Sequence, residues 1–190
     1  MKRILPCLLM MMLSLALSPR GYASGDIPGP GDVFPDLTLP VPKEVSERGY
    51  LGVSEGDPFQ LSQVKAEILI IEVFSMYCPH CQREAEDVNK LYELIENDPQ
   101  LRGRIKLIGI GAGNTPFEVN VFREKYQVPF PLFADADFSL YNSFGKVRTP
   151  YFFGIRLKTG GRPPRVFYAK VGGLKGAQRF LKEVVQKSQE

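Results

Sequence analysis

Two cysteines that enclose a proline and the chain's only histidine are the residues best suited to chemistry. Cys78 and Cys81 follow an apolar run that ends at Phe74. A thiol ionises more readily at the amino terminus of a helix, because unpaired backbone N–H groups and the helix dipole favour the thiolate. The pair therefore indicates a redox-active dithiol, in which Cys78 attacks a partner disulfide and Cys81 resolves the resulting mixed disulfide.

The residues around the pair are expected to tune its reactivity. Pro79 suits the first position of a helix and fixes the turn, and His80 can bring positive charge close to the Cys78 thiolate. Glu72 lies in the preceding apolar run, six residues before Cys78. A carboxyl group buried there would have a raised pKa, and we hypothesise that it exchanges a proton with Cys81. The alternative is a salt-bridged acid that faces the solvent.

Other uses of the two cysteines stay open. A structural disulfide in an exported protein would make the chain a non-catalytic binding module, although so short a loop gains little stability from one. Ser75, three residues before Cys78, weakly favours a thiol peroxidase that uses Cys78. A zinc site needs four ligands, which two cysteines and one histidine within a single turn do not supply. We therefore expect no metal and no other cofactor.

The amino-terminal segment is typical of a secretory signal peptide. Lys2 and Arg3 precede an apolar run over residues 4–17, and Ala23 lies in a stretch of small residues, so residues 1–23 are expected to be removed. The run is shorter than the roughly 20 residues that span a bilayer. An uncleaved membrane anchor is the alternative. Export would place the dithiol in a periplasm or on an extracytoplasmic membrane face, where disulfides persist.

The charge balance argues against nucleic acid as a partner. Lys2, Arg3 and Arg20 are the charged residues of the expected signal peptide, so its removal lowers the formal net charge from +3 to zero. A neutral chain without a basic cluster lacks the electrostatic footprint of a nucleic-acid binder. Cys7 is removed with the same segment, which leaves the single pair of cysteines. Protein thiols or disulfides are the expected partners.

Alternating strand and helix patterns predict the elements that position the dithiol. Apolar runs of strand length over 67–74 and 105–110 indicate buried strands, each followed by a helical pattern. A short helix near residue 140, strands over 151–157 and 166–171, and a final amphipathic helix complete the order. Strands that alternate with helices in this way predict an α/β fold in which helices connect parallel strands.

The segment from Glu72 to Cys81 resembles the active site of the thioredoxin superfamily, and its Cys-Pro-His-Cys form is similar to that of DsbA-type disulfide oxidases. Glu72 matches the buried acid of that family. Thr149-Pro150 resembles its cis-proline loop, which offers a backbone edge to the substrate. The resemblance implies a thioredoxin fold, a central mixed sheet flanked by helices, with Thr149, Pro150 and Tyr77 as substrate-binding residues. Tyr77 departs from the pattern, since the family usually has tryptophan there.

The frame around the motif resembles a different branch of the superfamily. Cys81 and Pro150 are separated by 68 residues, fewer than the large helical insertion of DsbA requires. This spacing, the lead-in at 35–39 and the segment 130–135 are similar to the TlpA and ResA group and to the related peroxiredoxin-like AhpC/TSA proteins. Glu84 matches an acid common in that group, although we expect it on an exposed, solvated turn of the helix.

The resemblance also implies domain boundaries and partners. We expect an extended N-terminal segment over 24–48 and a thioredoxin-like domain over 49–190, with a central strand–helix insertion. TlpA-like proteins usually act as reductants fed by a membrane electron carrier, often in cytochrome c maturation, whereas His80 favours an oxidant. The sequence therefore predicts an exported thiol–disulfide oxidoreductase with protein substrates and a membrane redox partner. The direction of electron flow stays open.

Overall fold

The computed structural model describes residues 26–157 and 163–190, so the expected signal peptide lies outside the described residues. The helices are α1 (Val45–Leu51), α2 (Pro79–Asn97), α3 (Pro116–Tyr126), α4 (Ser139–Ser143) and α5 (Ala177–Lys187). The strands are β1 (Thr38–Leu39), β2 (Phe59–Gln60), β3 (Ile68–Phe74), β4 (Ile105–Ala112), β5 (Leu132–Asp135), β6 (Tyr151–Arg156) and β7 (Arg165–Val171). Within these residues, none of the helices combines the length and the apolar character needed to cross a bilayer.

Five strands form one mixed sheet in the order β5-β4-β3-β6-β7. The neighbours β3 and β4 are parallel, as are β4 and β5, whereas β6 is antiparallel to both β3 and β7. All residues of β3 are buried, which is expected of an aliphatic strand covered on both faces. The strand β5 and the helix α4 lie between α3 and β6 and match the expected insertion of one strand and one helix.

Side chains that alternate along β3 enter two different cores. Ile68 and Ile70 pack on the face that α2, α3 and α5 cover. Leu69 and Ile71 pack on the opposite face, which the chain before β3 and the segment after α4 cover. The sheet is thus the middle layer of three, and β3 holds the chain that leads into the dithiol rigidly between them.

The N-terminal segment is more structured than the expected extended lead-in. The short strand β1 pairs with β2, and α1 runs across the boundary that the sequence places between residues 48 and 49. Phe34, Leu39 and Leu51 are fully buried in the second core. The sequence pattern misses β1, α1 and β2 because elements of two to seven residues are too short to show a clear period.

Candidate active site

The dithiol lies where the central strand passes into the longest helix. Cys78 is the N-cap residue of α2, Pro79 is its first residue, and Cys81 lies in its first turn, as the spacing predicts. The Cys81 backbone N–H donates a hydrogen bond to Cys78 Sγ at 3.3 Å. Both cysteines are free thiols; Cys81 is buried, whereas Cys78 is partly exposed. Cys78 is therefore the sulfur that a partner can reach.

The surroundings shift the pKa values of the two thiols in opposite directions. Burial opposes ionisation of Cys78. Hydrogen bonds from the Cys81 thiol, from the Thr149 side chain and from the backbone N–H groups of Cys81 and His80 outweigh burial and lower the pKa of Cys78. Burial raises the pKa of Cys81. Its hydrogen bond with the Cys78 sulfur and the negative charge of ionised Glu72 add to the rise. Cys78 therefore ionises first and is the better nucleophile.

The proline loop lies against the exposed thiol. The Thr149-Pro150 peptide bond is cis, as the resemblance implies. The Thr149 carbonyl oxygen accepts a hydrogen bond from Cys78 Sγ at 3.4 Å. The Pro150 carbonyl oxygen accepts one from the Gly172 N–H at 2.8 Å. This loop is consequently fixed between the dithiol and the chain that leaves β7.

Glu72 lies inside the protein on β3 and is only 3 % exposed. Burial raises its pKa to about 8, and the nearby Glu84 and Cys78 contribute to the rise. The alternative of an acid that faces the solvent is therefore wrong. A carboxyl group with this pKa can accept or release a proton near neutral pH.

One expectation for the first turns of α2 is corrected. Glu84 is not a solvated residue on an exposed turn: it is partly buried, and its Oε2 accepts the Leu174 N–H at 3.0 Å, because this face of α2 packs on the loop after β7. A Cβ atom at Gly173 would overlap the Glu84 carboxylate.

His80 is exposed, and its ring Nδ1 accepts a hydrogen bond from Arg83 at 2.7 Å. Its backbone N–H stabilises the Cys78 thiolate.

Tyr77 stands beside the exposed thiol and is itself 65 % exposed. Its hydroxyl donates a hydrogen bond to Glu118 in the first turn of α3. The Glu118 carboxylate also accepts the Thr115 N–H at 2.7 Å, which completes a capping box. The hydrogen bond from Tyr77, followed by those from Thr115, lowers the pKa of Glu118. The tyrosine thus ties the active-site turn to α3.

The comparisons with known proteins identify the family. The model of the AhpC/TSA family matches residues 30–169. The chain belongs to the AhpC/TSA family. It is 23 % identical over 137 residues to the thiol-disulfide oxidoreductase ResA of Halalkalibacterium halodurans, which covers 72 % of this chain and 70 % of the relative. The predicted resemblance to the ResA group is therefore confirmed.

Solved structures confirm the predicted thioredoxin fold. A putative thiol:disulfide interchange protein DsbE from Chlorobium tepidum superposes with a TM-score of 0.61 at 14 % identity, over 86 % of this chain and 99 % of that one. A secreted disulfide oxidoreductase of Mycobacterium tuberculosis that is homologous to E. coli DsbE gives a TM-score of 0.55 at 15 % identity, over 80 % and 96 % of the two chains.

This AhpC/TSA chain holds its active-site turn with two residues that the sequence does not single out. Asn114 is fully buried after β4, and its Oδ1 accepts the Met76 N–H at 2.8 Å. Gln82 Nε2 donates to the Met76 carbonyl oxygen at 2.7 Å. The sequence shows Asn114 only as a residue of a glycine-rich turn, since its partner lies 38 positions away. The Thr115–Glu118 capping box, in contrast, is readable from its spacing.

Proposed function

We propose that the protein is an exported thiol–disulfide oxidoreductase that exchanges disulfides with protein substrates. The observation that carries the proposal is the opposite pKa shift of Cys78 and Cys81 at the amino terminus of one helix. The ResA name of its relative supports the same activity. Export is supported by the sequence of residues 1–23, and a membrane protein that exchanges electrons with the dithiol completes the proposal.

The reaction proceeds through two exchanges at Cys78. Its thiolate attacks one sulfur of a substrate disulfide, so a Cys78–substrate disulfide forms and the other substrate sulfur leaves as a thiolate and takes a proton. Cys81 then loses its proton, and its sulfur attacks Cys78 Sγ. The Cys78–Cys81 disulfide forms and the second substrate sulfur leaves. The dithiol loses two electrons and the substrate gains them; the reverse sequence oxidises a substrate dithiol.

The proposed roles of the surrounding residues follow from their positions. Glu72 accepts the proton of Cys81 during the second exchange through its ionised fraction, which is present near neutral pH and grows as the pH rises towards its pKa of about 8. Thr149 and Pro150 present the backbone edge along which the substrate lies, and Tyr77 covers its other side. If Glu72→Gln left the exchange rate unchanged at every pH between 6 and 9, the role of Glu72 would be excluded.

The reduction potential of the dithiol tests the activity and sets its direction. The protein is equilibrated in glutathione buffers of graded ratio, and the oxidised fraction is counted by mass after alkylation. We expect a two-electron equilibrium that Cys78→Ser abolishes. A potential near −270 mV, as in thioredoxin, indicates a reductant, and one near about −120 mV, as in DsbA, an oxidant. Stabilisation of the Cys78 thiolate shifts the value towards the oxidant.

The same preparation distinguishes the other activities. A dithiol that glutathione neither oxidises nor reduces would contradict the proposal and favour a binding module with a structural disulfide. Hydrogen peroxide consumption that Cys81→Ser retains at full rate would favour a thiol peroxidase that uses Cys78 alone. Cell fractionation of the tagged full chain tests export, which predicts shortening by about 23 residues and recovery outside the cytoplasm.

A further inference from the structure

A cleft of about 440 Å³ lies next to the dithiol. Its lining includes Tyr77, which precedes Cys78 in the chain, and Thr149, whose carbonyl oxygen lies 3.4 Å from Cys78 Sγ. Phe138 and Tyr141, from the segment around α4, line the same cleft. Of the described residues that line it, only Arg148 carries a charge. A concave, mostly apolar surface with few polar groups is the usual form of a binding site.

The part of the cleft that Phe138 and Tyr141 line is held in place by the fold. Phe138 adopts a left-handed conformation with φ 60° and ψ 20°, which is uncommon for a large side chain. A Cβ atom at Gly113 would overlap the Phe138 ring, so the ring lies directly on glycine backbone. The buried Asp135 carboxylate accepts the Tyr141 N–H at 2.8 Å and fixes the following turn. A ring that is already fixed loses little entropy when a ligand packs on it.

Exposed apolar side chains concentrate at this edge of the sheet. Among the described residues, six large hydrophobic side chains are exposed. Four of them, Tyr77, Phe117, Phe138 and Val171, lie at or just after the ends of β3, β4, β5 and β7, the edge where the dithiol lies. Apolar side chains left in water near a reactive group are typical of a surface that a partner covers.

We propose that this cleft binds an apolar side chain one or two residues from the reacting cysteine of an extended polypeptide substrate. The inference rests on the proposed function and names its substrate class. In a mixed disulfide the two Cα atoms lie roughly 5.5–6 Å apart, and successive residues advance by at most about 3.6 Å. The residue next to the substrate cysteine therefore has its Cα within about 10 Å of the Cys78 Cα, alongside the cleft that Tyr77 and Phe138 line.

Two peptide disulfides test the proposal in the reduced full-length protein. In one the cysteine is followed by Phe-Leu, and in the other by Gly-Ser. We expect the second-order rate constant of exchange to be about tenfold higher for the apolar peptide, since hydrophobic pockets discriminate on this scale. Phe138→Asn, which suits the left-handed conformation and removes the ring, should lower that ratio to near one. Phe138→Leu should restore most of it.

Phe117→Ala is the matched control. Phe117 is an exposed aromatic residue at the same edge that does not line the cleft, so the ratio should stay near tenfold. Equal rate constants for the two peptides in the wild type, or an equal loss of discrimination in Phe117→Ala, would overturn the proposal. If neither peptide nor glutathione disulfide exchanges with the wild type, the proposed function itself fails. Exchange with both peptides at equal rates would leave that function intact and contradict only the proposed role of the cleft in substrate binding.

Discussion

At the scale of single residues, the two thiols differ because their surroundings differ. Cys78 lies at the amino terminus of α2, where backbone N–H groups donate to its sulfur, whereas Cys81 is buried in the first turn of the helix. Glu72 beneath them is a carboxyl group that burial keeps protonated up to a pH of about 8. In the proposed reaction, Cys78 is the nucleophile, Cys81 is the resolving thiol, and the ionised fraction of Glu72 accepts the proton.

Glu72→Gln changes the pH dependence of stability. The folded carboxyl group has a pKa of about 8, against an ordinary value of 4.5 in the unfolded chain. Between these values the folded protein holds a proton that the unfolded chain has lost, so rising pH lowers stability by up to about 1.4 kcal/mol per pH unit. Glutamine does not titrate, so the free energy of unfolding of Glu72→Gln relative to that of the wild type should increase from pH 5 to pH 8.

Urea denaturation of the reduced protein at several pH values measures that effect. Glu86→Gln is the control, because Glu86 is exposed on α2 and should follow the wild type. A stability difference between Glu72→Gln and the wild type that stays constant with pH would contradict the raised pKa.

At the scale of elements, the active-site turn depends on neighbours from other parts of the chain. The Asn114 amide oxygen holds the Met76 N–H, and its amide nitrogen donates to Ser75 Oγ at 3.4 Å. The loop after β7 holds the Pro150 carbonyl oxygen through Gly172 and the Glu84 carboxylate through Leu174. The surroundings of the dithiol are therefore fixed from two other parts of the chain, the turn after β4 and the loop after β7.

Asn114→Ala should loosen the turn. It leaves the Met76 N–H without its partner, which costs about 1–3 kcal/mol in a buried site. We expect this loss in urea denaturation, together with a slower exchange at Cys78. Asn120→Ala is the control, since Asn120 is exposed on α3 and contacts Glu124. A loss as small as that of the control would show that Asn114 does not support the turn.

Gly173→Ala tests the contact between α2 and the loop after β7. The added Cβ atom would overlap the Glu84 carboxylate, which must then move and give up its hydrogen bond with the Leu174 N–H. We therefore expect a loss of stability of about 0.5–1.5 kcal/mol. In the double variant with Glu84→Ala the overlap is absent, and the additional cost of Gly173→Ala should nearly vanish. Additive losses in this double-mutant cycle would rule out the contact. Gly49→Ala, at an open helical site, controls for the substitution itself.

At the scale of the whole molecule, the N-terminal segment belongs to the packed domain. Phe34 is fully buried and meets the Phe153 ring edge-on at 5.1 Å. Phe34→Ala should therefore lower the free energy of unfolding by about 3–5 kcal/mol. Val45→Ala, at a residue that is 73 % exposed, should change it by less than about 0.5 kcal/mol. Similar values for the two variants would show that the segment contributes little to the domain.

The sequence predicts the strands and helices that carry the dithiol, because their apolar runs are long and are bounded by prolines, such as Pro99 after α2 and Pro150 before β6. It also predicts Cys78 as the N-cap residue and the burial of Glu72. It fails where a contact joins distant positions: Asn114 to Met76, or Glu84 to the loop after β7. Such partners depend on packing of the complete fold, which a local pattern does not encode.

Trapping the mixed disulfide tests whether Cys78 attacks the substrate disulfide and Cys81 resolves the mixed disulfide. Cys81→Ser and Cys78→Ser are each incubated with the same peptide disulfide, and the adducts are counted by intact mass. We expect a stable peptide adduct on Cys78 in Cys81→Ser. We expect roughly tenfold less adduct in Cys78→Ser, because Cys81 is buried and its pKa is raised. Equal adducts in the two variants, or none in Cys81→Ser, would contradict these roles of Cys78 and Cys81.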